Sequence, residues 1–80
     1  MRTINIGFGN MIPENRIIAI LSPESAPVKR MIQAYRDDNK LIDGTQGRKT
    51  KSVIFLEAGY IALSYLTPET LAGKLDKEGS

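Results

Sequence analysis

Two short runs in this chain are apolar on both of their faces. Residues 16–21 read RIIAIL and residues 52–57 read SVIFLE. β-Branched residues dominate the first run, and both runs have strand length. A strand that is apolar on both faces needs cover on both faces. The chain has only 80 residues, enough for one domain, and a domain of this size buries only roughly 60–65% of its unfolded surface. It has no cysteine to staple the fold. One of the covers can come from another subunit, and association is an expected source of stability.

The other elements follow from local chemistry. Residues 3–9 alternate, with Ile4, Ile6 and Phe8 against Asn5, Gly7 and Gly9, which predicts a strand. Gly7 and Gly9 weaken it and signal a bulge or close backbone approach. Gly9, Asn10 and Pro13 then mark a turn or loop. Ser25 is the expected N-cap of a helix, with Ala26 first and Pro27 still in the first turn, where no intrahelical N–H is needed. Val28, Met31, Ile32 and Tyr35 form one apolar stripe at helical spacing, and Asn39 is the expected stop. Leu41, Ile42 and Asp43 form a short strand or extended segment. The run 52–57 and the alternating run 60–66 flank Ala58-Gly59, which predicts an antiparallel hairpin. Thr67, Pro68 and Glu69 open a second helix, pinned by Leu71 and Leu75. Residues 76–80 are polar and expected to fray. The predicted fold class is α+β: residues 1–80 as a single domain, a mostly antiparallel sheet with two helices.

Residues 44–51, GTQGRKTK, carry the charge signal. They hold Arg48, Lys49 and Lys51 and no acid, and without those three cations the net charge of +2 turns negative. A glycine-bracketed basic loop on a strand offers backbone N–H groups and cations together, which suits phosphates and other anions. The alternative is a solvated surface turn. Lys29 and Arg30 join such a site only if the fold brings them near the loop. Arg16, at the start of its strand, has its head free for solvent or a ligand, or is an ordinary strand-end cation.

Much other chemistry is excluded. No cysteine and no histidine are present, so zinc sites of the usual kind, cysteine nucleophiles and histidine bases are ruled out. The run Gly47-Arg48-Lys49-Thr50 misses the P-loop, which needs glycine directly before the lysine. Gly44-Thr45-Gln46-Gly47 matches the four-residue GXXG pattern of KH domains, but a strand-like run follows where that fold has a helix. Ser25 and Lys29 are four apart, not three, so they make no Ser-x-x-Lys pair. Asp37 and Asp38 are adjacent acids near a helix end. No enzyme activity, cofactor, metal site or small-molecule substrate is expected. No apolar run approaches the roughly 20 residues of a membrane span, and no long apolar region follows Arg2. No membrane partner is expected, and the expected location is cytoplasmic.

Several stretches in order and at similar spacing resemble the RemA family of bacterial biofilm-matrix regulators. They are NIGFGN at 5–10, NRII at 15–18, SPESAPVKR at 22–30, LID at 41–43, GRKT at 47–50 and PET at 68–70. The resemblance implies a DNA-binding transcriptional regulator that assembles into ring-like homo-oligomers, with DNA engaging a repeated basic surface to activate matrix and osmoprotection operons. The family's basic positions fall on Arg16, Arg48 and Lys49, and the proline at its helix start falls on Pro27. One position departs: the family typically carries a second arginine where this chain has Lys49. Lysine keeps the charge but cannot make a planar bidentate contact. The expected partners are double-stranded DNA and further copies of the chain. Two other functions fit the sequence: RNA binding through the same loop, and a non-catalytic scaffold that binds proteins through exposed strand edges.

Overall fold

The computed structural model describes the backbone of residues 2–79 and the side chains of residues 2–75. Six strands and two α-helices form three layers. In chain order these are β1 (Thr3–Asn5), β2 (Met11–Pro13), β3 (Ile17–Leu21), α1 (Ala26–Asp37), β4 (Leu41–Asp43), β5 (Ser52–Leu56), β6 (Tyr60–Ser64) and α2 (Pro68–Gly79), with one 3-10 turn, Glu14–Arg16, before β3. The fold is α+β with two helices. In place of one mostly antiparallel sheet there are two: an antiparallel β1–β2 hairpin, and a mixed four-stranded sheet in the order β3-β5-β6-β4.

The middle layer is the four-stranded sheet. β5 pairs antiparallel with β3 and with β6, while β4 pairs parallel with β6. Successive residues of a strand face opposite sides, and β5 and β6 sort accordingly. Val53, Ile61 and Leu63 face α1, where they pack with Val28, Ile32 and Tyr35. Ile54 and Ala62 face the hairpin and α2, where Ile4, Ile6, Ile12 and Leu71 join them. The two runs that are apolar on both faces therefore lie in the four-stranded sheet, and helix and hairpin supply the two covers for β5.

The helix signals in the sequence act as read. The Ser25 hydroxyl accepts the Val28 N–H at 3.3 Å, and Thr67 Oγ1 accepts the Thr70 N–H at 3.2 Å. Asn39 takes a left-handed φ of +60° just after α1. Residues 76–79 continue the backbone of α2; their side chains and Ser80, on which the expected frayed tail falls, lie outside the described residues.

Three expectations are corrected. The strand expected over 3–9 ends at Asn5, because Gly7, Phe8 and Gly9 all adopt positive φ and reverse the chain. The loop expected around Pro13 contains β2; Pro13 is tolerated because it sits at the strand's end, opposite Thr3. The strand expected over 16–21 begins at Ile17, because Arg16 closes the 3-10 turn, and within one chain β3 lacks cover on one face, which the sequence reading left open to another subunit. The pairing shifts register between Ile17 and Ala19, so Ile18 is an extra, bulged residue and stands 67% exposed, with Leu21 at 38%.

Two fully buried serines sit opposite each other on β5 and β6. Ser64 Oγ donates to the Ile6 carbonyl at 2.8 Å and accepts the Leu66 N–H at 3.0 Å. Ser52 Oγ donates to the Leu66 carbonyl at 2.6 Å. Removing the Ser64 hydroxyl strands a buried acceptor and a donor, so Ser64→Ala should cost about 1–3 kcal/mol. Thermal unfolding should show a drop in Tm of at least about 4 °C. An unchanged melting curve would show that this hydroxyl is dispensable.

Candidate functional site

The basic loop bridges the end of β6. At one side the Gly44 N–H donates to the Leu63 carbonyl at 3.0 Å, and at the other the Lys51 N–H donates to the Ser64 carbonyl at 2.8 Å. Between these anchors an Asx turn fixes the path. Asp43 Oδ1 accepts the Thr45 N–H at 2.9 Å and the Thr45 hydroxyl at 2.6 Å, and Thr45 is buried. Gln46 and Gly47 follow with φ of +54° and +84°, and the Arg48 N–H closes the turn on the Thr45 carbonyl. Gly44 suits its place for a different reason: a Cβ there would crowd the Leu63 carbonyl oxygen at 3.0 Å and Ile6 Cδ1 at 3.1 Å. The fold thus holds the loop's backbone close to the sheet and leaves Arg48, Lys49 and Lys51 exposed.

Those cations divide. Lys49 and Lys51 line a groove together with Lys29 and Thr50, the segment between β3 and α1 at Ser22, Pro23 and Glu24, and the start of α2 at Thr67, Pro68 and Glu69. The N-terminal end of α2 lines it, so one positive dipole end and three lysines share one region with two carboxylates. Arg48 stands apart from this groove, over the rings of Phe8 and Tyr65. Arg30 is exposed on α1 and does not line the groove. Among the described residues, no carboxylate lies within ion-pair distance of Lys29, Arg30, Arg48, Lys49 or Lys51.

Arg16 lies at the other end of the sheet. Its backbone carbonyl accepts the Glu57 N–H, and its guanidinium is 3.9 Å from the Glu57 carboxylate. The length of β5 separates it from the loop, roughly 20 Å at strand rise. It borders an apolar hollow with Met11, Ile12, Pro13, Ile42, Leu56 and Tyr60. Pro27 occupies the first turn of α1 and is exposed. The structure therefore unites Lys29 with Lys49 and Lys51, and keeps Arg16 away from them within one chain.

Sequence reasoning did not single out Asp43, Phe8 or Tyr65. Asp43 had a readable signal, since Asp-Gly-Thr is Asx-turn sequence. Phe8 and Tyr65 had none, because only the tertiary fold brings them to Arg48.

The bonds to Asp43 have an electrostatic consequence. The Thr45 hydroxyl, then the Thr45 N–H, hold its carboxyl below the ordinary aspartate range; Arg36 adds a smaller pull, and partial burial opposes. A carboxylate with a depressed folded pKa contributes stability above its unfolded pKa and loses it as pH falls through the folded value. Asp43→Ala should therefore cost about 1 kcal/mol at pH 7. The gap from wild type should narrow as pH drops below the ordinary value of about 3.9. Melting curves of both proteins from neutral to acid pH check this, and a gap independent of pH would contradict it.

Residues 3–75 match the family described as extracellular matrix regulatory protein A-like, or RemA-like. A protein of Dictyoglomus turgidum is 53% identical over 76 residues, covering 95% of this chain and 89% of its own. One from Finegoldia magna is 51% identical over 80 residues, covering 100% of this chain and 96% of its own. One from Bacillus cytotoxicus is 51% identical over 78 residues, covering 98% and 90%. All three carry the name of a candidate regulatory protein. Fold and loop define a small α+β domain with a basic surface loop held on the end of its sheet. The chain belongs to the RemA-like family.

Proposed function

We propose that this protein is a DNA-binding transcriptional regulator of extracellular-matrix genes, acting in the cytoplasm as a ring-like homo-oligomer. The observation that carries the DNA contact is the convergence of Lys29, Lys49 and Lys51 with the N-terminus of α2. Cations on a firmly anchored loop, with one helix dipole end beside them, suit a phosphate backbone better than a small molecule. The family description and the relatives' names supply the regulatory half of the reading.

One subunit offers few phosphate contacts, and a ring repeats them, raising avidity without new chemistry. Support for assembly comes from the surface. Ile18, Met11 and Ile42 stand 67%, 52% and 44% exposed, and β3 and β4 are open edges of the larger sheet. Arg16 joins the basic surface only through a neighbouring copy, given its distance from the loop. Pro27 fixes the first turn of α1.

The test is a salt titration of duplex-DNA binding, with oligomer size followed by sedimentation. Wild type should sediment as a closed oligomer and show a steep fall of affinity with salt. Lys49→Ala and Lys51→Ala should each flatten the slope of log affinity against log salt by about 0.9 for every subunit that touches the DNA. Wild-type affinity and slope in both variants, with the oligomer intact, would overturn the reading. A stable monomer at micromolar concentration would overturn the ring.

A further inference from the structure

Gly7, Phe8 and Gly9 have φ of +120°, +55° and +77°. For the two glycines this is ordinary, but a bulky residue rarely adopts a left-handed backbone. Burial does not explain Phe8, which is 47% exposed. The turn that imposes this conformation is nonetheless firmly made. The Gly7 N–H donates to Asn5 Oδ1 at 2.7 Å; the Asn10 N–H and Asn10 Nδ2 both donate to the Gly7 carbonyl, at 3.0 and 2.9 Å. A side chain at Gly7 would overlap the Tyr65 ring, so the glycine lets that ring lie against the turn.

What the turn achieves is the placement of the Phe8 ring. It lies 4.9 Å from the Tyr65 ring, centroid to centroid, tilted by 40°. The Arg48 guanidinium carbon lies over both, 5.7 Å from the Phe8 centroid and 5.5 Å from that of Tyr65. The two rings form a shelf under one arginine. Tyr65 follows Ser64, which is bonded to the Ile6 carbonyl, so the shelf is tied to the core. Arg48 has no side-chain hydrogen bond or ion pair among the described residues, and its N–H donors stay available.

We infer that Phe8 and Tyr65 are positioning residues that hold Arg48 as a preorganised fork for two oxygens of one backbone phosphate. The inference rests on the DNA-binding reading for its ligand, but not for the shelf itself. An aromatic face attracts a guanidinium through the ring quadrupole and leaves its edge donors unused. A side chain already held loses less freedom when it binds. Among the described residues no ring lies under neighbouring Lys49, so the two adjacent cations differ: one is an aimed two-point contact, the other a single point charge.

The experiment compares wild type with Phe8→Leu, Phe8→Tyr and Tyr65→Leu, all in the full chain. Leucine keeps apolar bulk and removes the ring, whereas tyrosine keeps it. The first readout is the 15N relaxation of the Arg48 Nε–H group in the free protein. It should report an ordered group in wild type and Phe8→Tyr and a loosened one in both leucine variants. The second is binding to a duplex DNA of about one helical turn per subunit, across a range of salt. The leucine variants should bind about 2–5-fold more weakly for each contacting subunit. Their salt slope should stay at the wild-type value, since no charge is removed, whereas Arg48→Ala should flatten it. Tyr65→Leu keeps the test decisive if Phe8→Leu fails to fold. Arg48 order that ignores both leucine substitutions, with affinity unchanged while Arg48→Ala weakens it, would overturn the shelf. Ring-dependent order at Arg48 in a protein without DNA affinity would uphold the shelf and reject the DNA reading.

Discussion

Two buried hydroxyls join parts of this chain that hydrophobic packing alone would leave loosely aligned. Ser64 reaches across 58 positions in sequence to the Ile6 carbonyl, while its own hydroxyl oxygen takes the Leu66 N–H. Ser52, paired with it across the sheet, takes up the Leu66 carbonyl. Burying a hydroxyl is costly unless it is hydrogen-bonded, so these two fix both partners and geometry. Through them the N-terminal hairpin, the middle of the sheet and the approach to α2 share one register. The Ser64 carbonyl also receives the Lys51 N–H, which fastens the exit of the basic loop to the same point.

From that point the topology does the rest. β3 and β4 run parallel to β6, and α1 crosses the sheet between them, as a parallel connection requires. The C-terminal ends of all three strands therefore lie on one side, with the N-termini of α1 and α2 and the loop between β4 and β5. Open sheets with parallel strands often place ligand contacts at this end. Here the end carries Lys29, Lys49 and Lys51, with Glu24 and Glu69 at the groove limiting the excess of positive charge. The opposite end has a different character: the Arg16–Glu57 pair beside an apolar hollow.

The parts of the fold that were legible in the sequence are those set by neighbours in the chain. Ser25, Asn39 and Thr67 mark helix ends through their own backbone bonds or dihedrals, and the turn around Ala58 and Gly59 brings β5 and β6 together locally. The missing parts depend on distant partners. β2 was hidden because Pro13 reads as a breaker until Thr3 is known to lie opposite. The parallel seat of β4 beside β6 spans about twenty residues and has no local signal. The bulge at Ile18 cannot be read from a run that is apolar throughout. The basic loop was visible as charge and glycine, but its union with Lys29 depends on where α1 begins. Its separation from Arg16 depends on the direction of β3. The placement of Arg48 depends on Phe8, forty positions away.

On the proposed function, the loop end of the sheet meets DNA. Hydrogen exchange of backbone amides, with and without duplex DNA, tests it most directly, because it reports position as well as binding. DNA should slow exchange at residues 44–51 and in the first turn of α2, at Glu69 and Thr70. Protection confined to residues 11–17 and 57–60, with the loop unchanged, would contradict it.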